Sequence, residues 1–156
     1  MNKILPIILV VVLSGCANTL PHPLDDTAAW EGKSEMILLA AEVNGLKISH
    51  VRYKTIDGYC KNGYLDVIRL DGFIGSDSTV MVKRMIDRLE PCFNKDGEKV
   101  PNIVFLNSNG GYLFDGYAMG RLFRENQIKT VIAYGRVCAS SCAAAWPLSL
   151  PQMPPP

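Results

Sequence analysis

Gly110 and Gly111 close the stretch Phe105-Leu106-Asn107-Ser108-Asn109-Gly110-Gly111, which begins as an apolar strand. A glycine pair after a strand lets backbone N–H groups approach a substrate oxygen with no Cβ in the way. Donors of that kind stabilise the oxyanion of an acyl-transfer intermediate. Thirty residues on, Ser140 and Ser141 stand between Cys138 and Cys142. Serine is a weak nucleophile unless a general base takes its proton. His22 and His50 are the only histidines, and no His follows Ser140. Read locally, Gly110-Gly111 is equally a tight turn, and Ser140 or Ser141 equally a helix N-cap.

The N-terminus sets the compartment. Met1-Asn2-Lys3 precedes the apolar run Ile4 to Leu13, the layout of a secretory signal peptide. The run is short of the roughly 20 apolar residues that span a bilayer, and Pro6 interrupts it. Leu13-Ser14-Gly15-Cys16 resembles the bacterial lipobox. That resemblance implies lipidation of the Cys16 sulfur, for example by palmitate, with cleavage before it. It leaves a mature chain of 141 residues, enough for one domain. Ala17, rather than Asp, resembles outer-membrane sorting in diderm bacteria, so the expected location is the envelope, lipid-anchored and facing the periplasm.

Without Lys3 the basic and acidic side chains balance, 15 against 15. Such a chain has no nucleic-acid signature and no basic membrane-binding face. The expected partners are the membrane, through the lipid, and a peptide or protein substrate. Two acyl chains anchor stably where one is marginal. No cofactor is expected.

Four cysteines remain besides Cys16. In an exported chain an even count favours disulfides. A zinc site lacks a CxxC pair or a nearby His. Cys60 precedes a strand and Cys92 ends the helix that returns from it, so both fall at one end of the sheet. Cys138 and Cys142 can bridge if the first lies in a loop and the second in a first helical turn. The alternative is two buried, reduced thiols.

The elements that position these residues begin after a signal peptide at 1–15 and a Pro-rich tether at 16–33. Residues 34–59 are ambiguous. Met36 to Val43 reads as a short helix, from Leu38-Leu39-Ala40-Ala41-Glu42, or as the first strand of a hairpin turning at Asn44-Gly45; the helix formers favour the former. Leu65 to Leu70 is a strand ending at Asp71-Gly72, and Phe73-Ile74-Gly75 a turn. Ser76, Asp77 and Ser78 offer caps to a helix on which Val82, Met85, Ile86 and Leu89 repeat. A strand at 102–106, a loop through Gly111, a helix from Leu113 to Asn126 and a strand at 130–134 follow. After a loop to Ser140, another helix starts near Ser141. Strand and helix alternate as in an α/β fold, a parallel sheet with βαβ crossovers.

The segments Phe105 to Gly111, Cys138-Ala139-Ser140-Ser141-Cys142 and Ile68-Arg69-Leu70-Asp71-Gly72 together resemble the Clp protease proteolytic subunit and its exported bacterial relatives. The resemblance covers residues 60–146 and implies the N-terminal half of a ClpP/crotonase-like domain. It implies Ser140 as nucleophile, at a helix entry whose N-terminus favours negative charge. It makes Gly110 or Gly111 one oxyanion donor and the Ser141 N–H the other. Asn109 stands where the family usually has Pro. The family's His and its acidic partner come after the nucleophile, and this chain shows neither there. A Ser–Lys dyad is the alternative; Lys129 falls at the start of the third strand, far from Ser140, and Lys54 and Lys61 have no assigned place.

Residues 147–156 form a Pro-rich tail, and the sheet looks unfinished; truncation or a frame change is the expected cause, a natural tail the alternative. The function expected is that of a membrane-anchored lipoprotein with a serine-hydrolase-like domain whose site is incomplete. The rivals are a peptidase with an unrecognised base, a non-catalytic envelope interaction protein, and an acyl-CoA enzyme, which an exported chain would not supply with CoA.

Overall fold

The computed structural model describes residues 35–55 and 59–146. The signal peptide, Cys16, the tether and the Pro-rich tail lie outside the described residues.

The chain opens with a hairpin. Strand β1 (Glu35–Val43) pairs antiparallel with β2 (Leu46–Lys54). Asn44 and Gly45 both have positive φ, 47° and 88°, the demand of a tight two-residue hairpin turn. The turn chemistry thus overrides the helix propensity of Leu38 to Glu42, and the helix expected there is corrected to a strand. The turn also docks onto its surroundings. The Asn44 side-chain amide donates to the Ser76 carbonyl at 2.7 Å, and the Phe73 N–H donates to the Gly45 carbonyl at 3.0 Å.

Strand β3 (Tyr64–Ile74) pairs antiparallel with β2 along its length. It runs through the residues expected to turn at Phe73-Ile74. Helix α1 (Ser78–Ile86) follows. Its N-cap, Asp77, sits in the left-handed region and makes no side-chain cap bond. The N-terminus is closed instead from a distant helix, by the Asp115 carboxylate, which accepts from the Thr79 N–H at 3.2 Å. A small hairpin of β4 (Cys92–Phe93) and β5 (Lys99–Val100) leads to β6 (Ile103–Gly111), parallel to β3. Helix α2 (Leu113–Glu125), strand β7 (Lys129–Val131), parallel to β6, and helix α3 (Ser141–Ala145) complete the described chain.

The five-stranded sheet has the order β1-β2-β3-β6-β7. The architecture is α/β, but the sheet is mixed: β3, β6 and β7 are parallel, and the hairpin adds two antiparallel strands. The parallel sheet expected from the strand–helix alternation is found for β3, β6 and β7, while the hairpin makes the sheet as a whole mixed. Residues 46–54 belong to the main sheet and carry part of its core.

Strand alternation sends side chains to two faces. Leu46, Ile48, Ile68, Leu70, Val104 and Leu106 pack under the helices against Val82, Met85, Met119 and Phe123. On the other face Val51, Tyr53, Leu65, Val67, Ile103 and Val131 pack with Cys60 and Cys92. Those two cysteines are bridged, with Cα atoms 5.2 Å apart. Beside the bridge, the Lys61 N–H donates to the Phe93 carbonyl at 2.7 Å. The disulfide pins the β4–β5 hairpin and the loop before β3 over this smaller core.

One polar cluster is sunk into the sheet. The Asp66 carboxylate, 1% exposed, takes both Arg52 Nε at 2.6 Å and Nη2 at 2.8 Å, and the Glu90 N–H at 3.2 Å. His50 Nε2 lies 3.0 Å from Asp66 Oδ2 but outside hydrogen-bond geometry. Burial alone would push the Asp66 carboxyl up. Arg52, the Glu90 N–H and His50 outweigh it and hold the carboxyl below its ordinary range.

Candidate active site

The site is built where β6 ends. Asn107 and Ser108 form a harness for the segment that carries Cys138 and Ser140. The Ser108 N–H donates to the Val137 carbonyl at 2.6 Å, and the Ala139 N–H donates to the Ser108 carbonyl at 3.0 Å. Residues 137–139 therefore lie parallel to β6, with Ser108 opposite Cys138. Asn107 Oδ1 accepts from the Val137 N–H at 3.2 Å, while its Nδ2 donates to Asp71 Oδ1 at 2.8 Å. One amide side chain so ties the incoming segment to both β6 and β3.

From this strand-like run the chain turns sharply into α3. Ser140 is the turn residue, with φ 54° and ψ −123°. A non-glycine residue there lies outside even the left-handed helical well. Such a backbone costs about 1–3 kcal/mol and persists only where its surroundings over-determine it. Three features do so here. The Cys142 N–H donates to the Ala139 carbonyl at 3.1 Å and the Ala144 N–H to the Ser140 carbonyl at 3.3 Å. Cys138 and Cys142 are joined by a disulfide, with Cα atoms 5.1 Å apart, that closes a ring over Ser140. Gly110 and Gly116 supply room.

The room is specific. A Cβ on Gly110 would lie 2.5 Å from Ser140 Cβ, 2.7 Å from the Ala139 carbonyl oxygen and 3.1 Å from Ser140 Oγ. A Cβ on Gly116 would collide with the Ser141 carbonyl and come within 2.8 Å of Ser141 Cβ. Gly110 at φ 104° thus lets β6 abut the Ser140 turn, and Gly116 lets α2 abut α3. Ser140 itself is exposed. Ser141 is fully buried, and its Oγ has no hydrogen-bond partner.

The glycine pair lies in strand β6, beyond a register shift between Asp71 and Phe73, where a loop was expected. The Gly110 N–H donates to Ser108 Oγ at 3.0 Å. That leaves the Gly111 and Ser141 amides as the candidate oxyanion donors. Ser141 opens α3, so its N–H has no intrahelical acceptor. Helix α3 is five residues long, so the dipole help expected at its entry is small.

The candidate bases are elsewhere. His50 lies opposite Ile68 and Gly110 opposite Phe73, a separation of about 16 Å along the strands at the usual rise. Lys129 faces Ile103, about 23 Å down β6 from Gly110 by the same rise. Lys54 pairs with Tyr64, at the start of β3, and Lys61 sits by Phe93 at that same end. The structure brings Ser140, Ser141, Gly110 and Gly111 together and leaves His50, Lys54, Lys61 and Lys129 at a distance.

Asp71, Asn107, Ser108 and Gly116 have no counterpart in the sequence-derived site. Only Asn107-Ser108, just before the glycines, carries a local signal, since both types favour side-chain to backbone bonds. A surface groove lined by Asp77, Thr79, Phe114, Tyr117 and Arg121 is separate, on the face of α2 opposite Gly116. No family model, no curated protein and no solved structure matches this chain.

Proposed function

We propose that this is an exported, lipid-anchored envelope protein carrying a serine acyl-transfer site, of ClpP/crotonase-like descent, centred on Ser140 and lacking its general base among the described residues. The observation that carries the reading is the Ser140 turn. A strained strand-to-helix turn that exposes a serine hydroxyl at its apex is a device of serine hydrolases. Here it abuts a glycine of the pair that can supply an oxyanion donor. In the proposed site Ser140 Oγ loses its proton to solvent and attacks an acyl carbon, the Gly111 and Ser141 amides receive the oxyanion, and its collapse expels the leaving amine or alcohol, which takes a proton from water. A peptide or protein reaching the envelope is the substrate class.

A base contributes about 10²–10⁴-fold to such a step. This chain should therefore take up a fluorophosphonate probe only near background, with the residual signal on Ser140 and absent from Ser140→Ala. Stoichiometric labelling of the unassisted protein would instead favour an active peptidase with a base outside the described residues. The anchor rests on the Leu13-Ser14-Gly15-Cys16 pattern. Radiolabelled palmitate should enter the wild type and not Cys16→Ser; equal incorporation would remove the lipid from the account.

A further inference from the structure

We infer that the Cys138–Cys142 disulfide is a thiol–disulfide exchange site, open to an external dithiol, and that its reduction releases the Ser140 turn. The exchange stands on the two bridges alone; its consequence for catalysis rests on the acyl-transfer reading of Ser140.

The two disulfides differ in the ways that decide exchange. Cys60 and Cys92 are 3% and 1% exposed, sealed in the smaller core. Cys142 is fully buried, but Cys138 is partly exposed, on the segment that leads to the exposed Ala139 and Ser140. Of the four half-cystines in the described bridges, Cys138 alone is not buried, so an incoming thiolate approaches there. The bridges also differ in span, 4 residues against 32. Span does not favour the short bridge, since opening a longer loop releases more chain entropy; exposure is what sets the two bridges apart.

The chemistry balances with one dithiol. Its thiolate attacks Cys138 Sγ, forming a mixed disulfide, and Cys142 Sγ leaves with the electron pair and takes a proton. The second thiol of the reagent then displaces Cys138. The reagent ends as a disulfide and the protein carries two thiols.

What the bridge restrains is the nucleophile turn. The five-residue ring contains Ala139, Ser140 and Ser141, with Ser140 at its strained φ and ψ. Opened, the ring leaves Ser140 between the Asn107 and Ser108 bonds to residues 137–139 on one side and a five-residue helix packed on α2 on the other, with no covalent link closing the turn across itself. The turn then relaxes toward an ordinary backbone, and the hydroxyl leaves the Gly110 face. Oxidised, the site is shaped; reduced, it is not.

The test uses the full chain and dithiothreitol as the dithiol, with trapping by N-ethylmaleimide and peptide mapping. Because only Cys138 is not buried, Cys138 and Cys142 should become labelled at a dithiothreitol concentration at least about 10-fold below that needed for Cys60 and Cys92. Reduction of both bridges together, or of Cys60–Cys92 first, would overturn the exchange site. Amide exchange by NMR on the selectively reduced protein reads the turn. The Ala139 and Cys142 amides should exchange at least about 10-fold faster, as in Cys138→Ser/Cys142→Ser, with core amides unchanged. Unchanged exchange at both would overturn the release. Neither readout needs turnover, so an inactive Ser140 would alter neither result.

Discussion

Replacing Asp66 by alanine should destabilise the protein by about 3–5 kcal/mol, the usual cost of removing one partner from a buried ion pair. The carboxylate is the hub of the sunken cluster, receiving Arg52 twice and the Glu90 N–H. Without it Arg52 keeps the Tyr64 ring and the Glu90 carboxylate, whose side chain is 59% exposed, and His50 faces an empty polar site. Asp66→Asn, which keeps an acceptor, should cost less. The effect has a pH signature. The folded carboxyl titrates below its unfolded value of about 3.9, so its stabilisation is fully present above that value. It is lost as pH falls through the folded pKa. Urea unfolding should therefore show a wide gap between wild type and Asp66→Ala at pH 7. The gap should narrow as the pH drops below about 4. A gap independent of pH would show that the variant fails for another reason.

The second large effect is expected from Cys60→Ser/Cys92→Ser. The bridge spans 32 residues, worth about 3–4 kcal/mol by loop-closure entropy. It also fastens the loop before β3 and the β4–β5 hairpin over Val51, Leu65, Val67 and Ile103. Losing it should expose this face while the core under the helices survives. Hydrogen exchange should accelerate around Cys60 to Asn62 and Cys92 to Val100 before it does in α2. A loss under about 1 kcal/mol would mean that packing alone holds the hairpin.

These two sites were differently legible. The cysteine pair could be placed because Cys60 and Cys92 flank a strand–helix unit that returns to its starting end. The Asp66 cluster could not, because His50, Arg52 and Asp66 meet only through the β2–β3 register, and residues 34–59 had no assigned element. The helix formers at Leu38 to Glu42 misled, while Asn44-Gly45 held the correct signal. A two-residue turn that needs positive φ twice constrains topology more than a weak propensity does. Periodicity located β3, α1, β6 and α2, with ends a few residues off. It could not show that β6 would carry Gly110 and Gly111 inside the strand, since the register shift against β3 is a tertiary feature.

The site followed the same division. Ser140, the glycine pair and the start of α3 at Ser141 were legible as segments, because their types and order are local. The contacts that shape the turn were not. Asp71 holds Asn107, which holds Val137, across 36 and 30 residues of chain. Gly116 looks like an ordinary helix interruption in sequence, yet α3 could not approach α2 with a side chain there.

The central claim is that Ser140 has its cradle and lacks its base. Imidazole added to the fluorophosphonate reaction tests it most directly, since a diffusible base can stand in beside an exposed hydroxyl. Peptide mapping of the adduct should show labelling at Ser140 that rises at least about 10-fold with imidazole concentration, absent from Ser140→Ala. Labelling that stays at background at every imidazole concentration would contradict the cradle, and full labelling without imidazole would contradict the missing base.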